Sequence, residues 1–151
     1  MGRYCKLILI FILIGQAWAD GIASGYRAND DNDVLIALRV AKEMNLTPYQ
    51  TRLLLAIRAS ENGRKGREYG VLSVLAFTQE EQAKVTARSI RNNWKQWEEA
   101  GKPEDFISFM ATRWCPIGCD NDNGTNKYWS YNIRYFLKIL EGERHKVYPI
   151  K

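Results

Sequence analysis

The sequence predicts a mainly α-helical domain with one irregular insert, and three observations lead to that prediction. Apolar residues recur at intervals of three and four in five stretches between residues 33 and 140, which is the spacing of one face of an α-helix. Two of these stretches begin with a Thr that lies three residues before a Gln or Glu, a common helix start. Residues 62–77 break the pattern with three glycines and four charged residues, so we expect a loop or a short β-hairpin there.

The first 19 residues have the organisation of an export signal. Arg3 and Lys6 precede eight consecutive apolar residues, and an Ala-x-Ala cleavage site ends at Ala19. The apolar run is shorter than the about 20 residues that a membrane-spanning helix needs. We therefore predict a cleaved signal peptide and an exported protein, periplasmic or secreted, without a transmembrane segment; an uncleaved N-terminal anchor is the alternative. The predicted division is a signal peptide over 1–19, a flexible lead over 20–32 and one domain over 33–151.

The first two predicted helices have clear starts. Asp33 can cap a helix that carries apolar residues as far as Met44. Thr47 and Gln50 form a capping box around Pro48, which suits the first helical position. This second helix ends at Glu61, because Asn62-Gly63 is a typical C-terminal stop.

Three further helices follow the insert. Thr78 and Glu81 form a second capping box that opens a long helix, which Gly101 ends. A fourth helix restarts after Pro103 and extends to Trp114, and the last covers residues from about 127 to 140. Helical spacing assigns four large aromatic residues to the core, namely Trp94, Trp97, Trp129 and Phe136.

Charge and histidine content narrow the possible functions. The whole chain has a formal charge of +5, which falls to +3 without Arg3 and Lys6 because 20 basic residues then face 17 acidic ones. This suits an anionic wall polymer or membrane surface, but no basic run indicates nucleic acid. His145 is the only histidine, so Ser/His/Asp and Cys/His catalysis are poorly supported.

Two cysteines remain after signal cleavage. Cys115 and Cys119 flank a Pro-Ile-Gly turn, and an even, closely spaced pair in an exported protein predicts a disulfide bond. A zinc site is not predicted, since Cys-x3-Cys is an unusual ligand spacing and the one histidine lies in the C-terminal tail.

Glu61 is the leading candidate for chemistry. It follows Leu54 and Ile57 on the apolar stripe of its own helix and is the last helical side chain. The negative pole of the helix dipole and burial both favour the protonated acid, which is what a general acid requires. The alternative is an ordinary structural Glu, paired with Arg58 or Arg64.

A second carboxylate is less evident. Glu68 and Asp122 are the candidates for a two-acid glycosidase site, although Glu68 beside Arg67 fits a solvated loop residue better. The segment from Asp120 to Gly124 allows a calcium loop, but its glycine is misplaced for an EF-hand. We therefore favour an Asx-rich turn there.

Aromatic residues in or beside loops are candidates for stacking on sugar rings, and we expect about half of them to be structural instead. They are Tyr69, Trp114, Tyr128 and Tyr131.

Three segments together resemble a known family: Ala59-Ser60-Glu61-Asn62-Gly63, the Arg67 to Leu72 segment, and Phe109 to Gly118 followed by Asn121-Asp122. They are similar to the lysozyme-like superfamily, in particular soluble lytic transglycosylases and small lysozyme-like proteins of bacteriophages and prophages. The resemblance covers most of residues 48–135 and implies a lysozyme-like helical domain. It also implies that Glu61 is the catalytic acid, that Gly70 lies in the segment that forms the substrate groove and that the Asn121-Asp122 loop lies near this groove. Ser73 stands where transglycosylases carry Gln.

The resemblance implies cleavage of peptidoglycan glycan strands, as a muramidase or lytic transglycosylase, with Glu61 as general acid and base. It implies no metal or organic cofactor. The alternatives are a peptidoglycan-binding protein that does not cut the glycan and an exported structural protein without glycan affinity.

Overall fold

The computed structural model describes residues 31–61, 67–71, 75–120 and 122–141. These residues form five α-helices: α1 (Asp31–Glu43), α2 (Pro48–Glu61), α3 (Gln79–Glu99), α4 (Phe106–Trp114) and α5 (Trp129–Leu140). A short 3₁₀-helix, Asn126–Tyr128, leads directly into α5. The mainly α-helical prediction is confirmed.

The insert between α2 and α3 contains no strand in the parts that the structure describes. Residues 67–71 form a turn, in which the Gly70 N–H donates to the Arg67 carbonyl over 3.1 Å, and residues 75–77 have no regular structure. Residues 62–66 and 72–74 lie outside the described ranges, so the β-hairpin stays a prediction.

The predicted helix starts of α2 and α3 are present. The Gln50 N–H donates to Thr47 Oγ1 over 3.2 Å, and the Thr47 N–H donates to Gln50 Oε1 over 3.0 Å. Thr78 and Glu81 make the same reciprocal pair at α3. Each box satisfies backbone donors that a helix start otherwise leaves without partners, so local sequence determines where these helices begin.

Helix α2 occupies the centre of the fold. Its five consecutive residues 53–57 are all buried, and it contacts α1, α3 and α5. A helix that is apolar around its whole circumference has to be enclosed by neighbours. Its C-terminal residue, Glu61, is therefore partly enclosed by the surrounding elements.

Helix α1 begins earlier than predicted. It starts at Asp31, so Asp33 lies inside the first turn, where its carboxylate accepts a hydrogen bond from the Arg58 guanidinium over 2.5 Å. This ion pair joins α1 to the end of α2, so the Asp33 carboxylate serves a tertiary contact.

Of the aromatic residues predicted for the core, Trp129 is buried, at 4% exposure, while the other three are partly buried and pack against the core. The rings of Trp94 and Trp97 pack against Phe106 in tilted and edge-to-face arrangements, with ring centroids 4.7 and 5.6 Å away. Among the described helices, none is long and apolar enough to cross a bilayer. The predicted signal peptide, the lead up to residue 30 and the tail from residue 142 lie outside the described residues.

Candidate active site

Two tryptophans hold the Glu61 carboxylate at one oxygen. The Trp129 indole N–H donates to Glu61 Oε1 over 3.0 Å, and the Trp114 indole N–H approaches the same oxygen at 3.4 Å. Trp114 is the last residue of α4 and Trp129 the first of α5, with ring centroids 6.4 Å apart. Three helix ends thus meet at one carboxyl group.

The other oxygen of Glu61 faces Gly70. A Cβ atom added to Gly70 would lie 2.3 Å from Glu61 Oε2 and 2.7 Å from Cδ, closer than any real contact. Gly70 also has a φ of 67°, in the left-handed region that side-chain-bearing residues avoid. The conformation therefore favours glycine at this position, and any side chain here would displace the Glu61 carboxyl group.

Burial controls the protonation of Glu61. Desolvation raises its pKa above the ordinary value, and the hydrogen bonds from Trp129 and Trp114 lower it by a smaller amount. Arg58, one of the two predicted structural partners, instead binds Asp33 and donates to the Glu68 carbonyl over 3.4 Å. No cation pairs with Glu61 within the described residues, and Arg64 lies outside them. The acid is therefore biased towards its protonated form.

Glu61 opens onto a cleft of about 610 Å³. Gly70 and Trp114 line the cleft beside it, and Val71 and Val85 add apolar surface. Other parts of the lining carry hydroxyl and amide groups, from Ser89, Asn123, Thr125 and Asn126. An apolar and aromatic surface with a few polar groups is typical of a ligand site.

The predicted groove residues divide into three groups. Gly70 and Trp114 line the cleft beside Glu61. Tyr69 is fully buried, at 0% exposure, and belongs to the core, so its assignment to the groove is wrong; it anchors the turn that carries Gly70. Tyr128 and Tyr131 are exposed but lie outside the residues that line this cleft.

Two further candidates, Ser73 and Asn121, lie outside the described residues. Asp122, which follows Asn121, does not line the cleft. Its carboxylate accepts hydrogen bonds from the backbone N–H groups of Gly118 and Gly124, both at 2.8 Å, and of Asn126 at 3.2 Å. These bonds, with that from Gly118 the largest cause, lower the pKa of Asp122. Asp122 therefore shapes the loop, as the Asx-turn prediction requires.

Glu68 differs from the prediction of a solvated loop residue. It is buried, at 7% exposure, next to Tyr69 in the turn that follows α2, and it does not line the cleft. The short turn packs against the end of α2, as the Arg58 bond to the Glu68 carbonyl shows, and this packing removes the side chain from water. In the described part of the chain, no three Cys, His, Asp or Glu side chains are grouped in a way that could hold a metal ion.

Cys115 and Cys119 are both free thiols in the structure and both line the cleft; the predicted disulfide is not formed there. Burial, followed by the nearby Glu61, raises the pKa of Cys115 to about 11. The Cys119 sulfur accepts from the Asn126 side-chain amide at 3.6 Å. A protonated thiol is a poor nucleophile, so Cys115 forms part of the cleft wall and is not suited to covalent catalysis.

Sequence reasoning missed two features of the site. Trp129 was assigned to the core alone, yet its N–H is the nearer donor to Glu61; a buried indole needs an acceptor, which was the available clue. Arg67 and Arg113 line the cleft but lie far apart in the sequence, so no motif connects them.

The arrangement around Glu61 suits proton transfer. A partly buried carboxylic acid with a raised pKa, at the wall of an open cleft, can donate a proton to an oxygen of a bound ligand and take one back afterwards. Comparisons of the chain with protein-family models, with curated proteins and with solved structures find no match.

Proposed function

We propose that this protein cleaves the glycan strands of peptidoglycan, with Glu61 as general acid and base. The observation that carries the proposal is the environment of the Glu61 carboxyl group. It has a raised pKa, no cationic partner among the described residues, and an open cleft beside it. The resemblance of the segments around Glu61, Gly70 and Trp114 to lysozyme-like proteins supplies the substrate class.

The hypothesised reaction begins with protonated Glu61. Its proton passes to the glycosidic oxygen between N-acetylmuramic acid and N-acetylglucosamine as the bond from the muramic C1 to that oxygen breaks. An oxocarbenium-like centre develops at C1. The Glu61 carboxylate then accepts a proton from the group that attacks C1, which regenerates the acid.

The attacking group is either water or the 6-hydroxyl of the same muramic residue. Attack by water gives hydrolysis, and attack by the 6-hydroxyl gives an anhydro product. The described cleft lining contains no carboxylate besides Glu61, and the undescribed residues 62–66, 72–74 and 121 include no Asp or Glu. A lone acid and base favours the intramolecular route, since the described lining offers no second carboxylate to stabilise the cation or activate water.

The test is digestion of purified peptidoglycan, with mass spectrometry of the soluble products. Wild type should release anhydro-muropeptides, and Glu61→Gln should lose activity by about 10²–10⁴-fold, the usual contribution of a general acid. Glu99→Gln is the matched control, because Glu99 is exposed on α3 and is not among the residues that line the cleft. Full activity in Glu61→Gln would overturn the role of Glu61.

A second outcome would support the alternative, a peptidoglycan-binding protein that does not cut the glycan. In that case, wild type and Glu61→Gln would both sediment with insoluble peptidoglycan and release no product. If wild type neither binds peptidoglycan nor releases product, the remaining alternative is an exported structural protein without glycan affinity.

A further inference from the structure

One buried side chain of α3 binds the insert at two points. Gln82 is 1% exposed, and its amide makes three hydrogen bonds to backbone groups that lie six and eleven residues earlier. The Val71 N–H donates to Gln82 Oε1 over 3.3 Å, and Gln82 Nε2 donates to the Val71 carbonyl over 3.2 Å. Gln82 Nε2 also donates to the Ala76 carbonyl over 2.9 Å. The two bonds to Val71 copy the pairing of neighbouring strands, with a side chain in place of a second backbone.

The backbone groups that Gln82 binds are removed from water. Val71 and Ala76 are 8% and 4% exposed, and buried backbone N–H and C=O groups need hydrogen-bond partners. In the described parts of the insert, no strand supplies such partners. The amide of Gln82 supplies them instead, so it fixes this part of the insert to α3.

The turn that Gln82 holds lies against the candidate acid. Val71 directly follows Gly70, and a Cβ atom on Gly70 would lie 2.3 Å from Glu61 Oε2. Val71 also lines the cleft. Two further residues of the lining follow Gln82 by three and seven positions, on the same face of α3, namely Val85 and Ser89. Gln82 therefore joins the α3 wall of the cleft to the turn beside the carboxyl group.

We infer that Gln82 is a positioning residue for Glu61: its amide holds the Gly70-Val71 turn against the carboxyl group, which keeps that group oriented and shielded from water. Gln82 does not line the cleft, so it acts through the turn and not on a ligand. Misplacement of a reacting group by about 1 Å can lower a rate by about 10²-fold. The catalytic meaning of this inference rests on the proposed function.

Gln82→Met is the principal test, because Met has a similar length and makes none of the three hydrogen bonds. The turn should then move away from Glu61 and admit water. Since burial is the largest cause of the raised pKa of Glu61, that pKa should fall towards its ordinary value. The measurement is an NMR titration of the Glu61 carboxyl carbon in the full chain. The substitution leaves unchanged the other charged or titratable residues of the described lining, which are Arg67, Arg113, Cys115 and Cys119.

Thr86→Val is the matched control. Thr86 is a fully buried polar residue of the same helix, its hydroxyl donates to the Gln82 carbonyl over 2.9 Å within α3, and it does not line the cleft. This variant should lose stability and keep the wild-type pKa of Glu61. Product release at saturating peptidoglycan should fall by about tenfold or more in Gln82→Met and stay near the wild-type rate in Thr86→Val.

Hydrogen exchange tests the bonds themselves. In wild type, the Val71 amide should exchange about tenfold or more slowly than in an unstructured peptide. Gln82→Met should remove this protection, while the amides inside α2 keep theirs and show that the fold remains. Gln82→Asn keeps the amide on a side chain one methylene shorter, and the same effects are expected if Gln82→Met does not fold. An unprotected Val71 amide in wild type, or protection that the variants retain, would overturn the inference.

The remaining outcomes separate this inference from the proposed function. A Glu61 pKa that stays at the wild-type value after the Val71 amide is released would overturn the inference, even if wild type cleaves peptidoglycan. A fall that Thr86→Val shares would also overturn it, because the cause would then be general destabilisation. A fall confined to the Gln82 variants would sustain it, even if wild type releases no product and the proposed function fails.

Discussion

The indole N–H of Trp129 donates to Glu61 Oε1 over 3.0 Å, across 68 residues of sequence. Trp129 begins α5 and Glu61 ends α2, two helices that pack along each other. With Trp114 at 3.4 Å from the same oxygen and Gly70 against the other, the carboxyl group has little rotational freedom. A fixed orientation is what proton transfer to a bound ligand requires.

Replacing Trp129 by Phe should move the pH dependence of activity. The indole hydrogen bond stabilises the charged carboxylate and lowers the pKa of Glu61. Its loss should therefore raise that pKa further, so that the decline of activity at high pH shifts to higher pH. The measurement is a pH–rate profile for peptidoglycan digestion.

Trp97→Phe is the control for Trp129→Phe. The Trp97 indole donates its N–H to the Glu104 carbonyl over 2.7 Å and not to Glu61, so this variant loses an indole without changing the hydrogen bonds to the acid. An equal shift in both variants would show that the effect comes from general destabilisation and not from the hydrogen bond to Glu61.

Replacing Gly70 by Ala should reduce both stability and activity. The added methyl group would lie 2.3 Å from Glu61 Oε2 and force the carboxyl group out of position. The positive φ adds a backbone cost of about 1–2 kcal/mol. Urea denaturation and product release measure the two effects.

Gly101→Ala isolates the backbone contribution. Gly101 has a φ of 78° at the end of α3, and a Cβ there meets nothing within 4 Å. This variant should lose stability and keep its activity. If Gly70→Ala retains activity as well, the close contact with Glu61 is unimportant for the reaction.

The Glu61→Gln variant should be more stable than wild type near neutral pH. The folded-state pKa of Glu61 is raised, chiefly by burial. The folded protein therefore holds this proton more tightly than the unfolded chain, and the associated stability is lost as pH rises from the unfolded pKa through the folded one. Gln stays neutral throughout, so its advantage should grow over that pH range.

Urea denaturation of wild type and Glu61→Gln at pH 4 and pH 7 measures this difference. A difference in unfolding free energy that stays constant between the two pH values would contradict a raised pKa. The variant combines lost activity with gained stability, which is expected where a functional group is held in an unfavourable environment.

The ion pair between Arg58 and Asp33 should contribute strongly to stability. Both side chains are largely buried, at 12% and 17% exposure, and Arg58 also donates to the Glu68 carbonyl. Arg58→Met would leave Asp33 without its partner, at an expected cost of about 3 kcal/mol. The unfolding free energy is the measurement.

Arg39→Met provides the comparison on the surface. Arg39 pairs with Glu80 where both side chains are more than a third exposed, so its removal should cost less than about 1 kcal/mol. Equal losses in the two variants would mean that burial does not govern the strength of the Arg58 pair.

Local sequence determined most of the helical architecture. The capping boxes at Thr47 and Thr78 act over three residues, and the apolar spacing of α5 reflects the period of the helix itself. Such short-range effects can be identified without a tertiary structure. The end of α2 at Glu61 follows from the same local rules, which is why the acid could be singled out.

The tertiary structure decided the surroundings of that acid. Tyr69 and Trp129 both carry an apolar ring and a polar tip, and sequence spacing could not tell which one would contact Glu61. Packing of α5 against α2 brings Trp129 to Glu61, while the turn before Gly70 buries Tyr69. Contacts between distant residues depend on how helices pack as a whole, so only the folded chain specifies Glu61 together with Gly70, its two indoles and the arginines beside them.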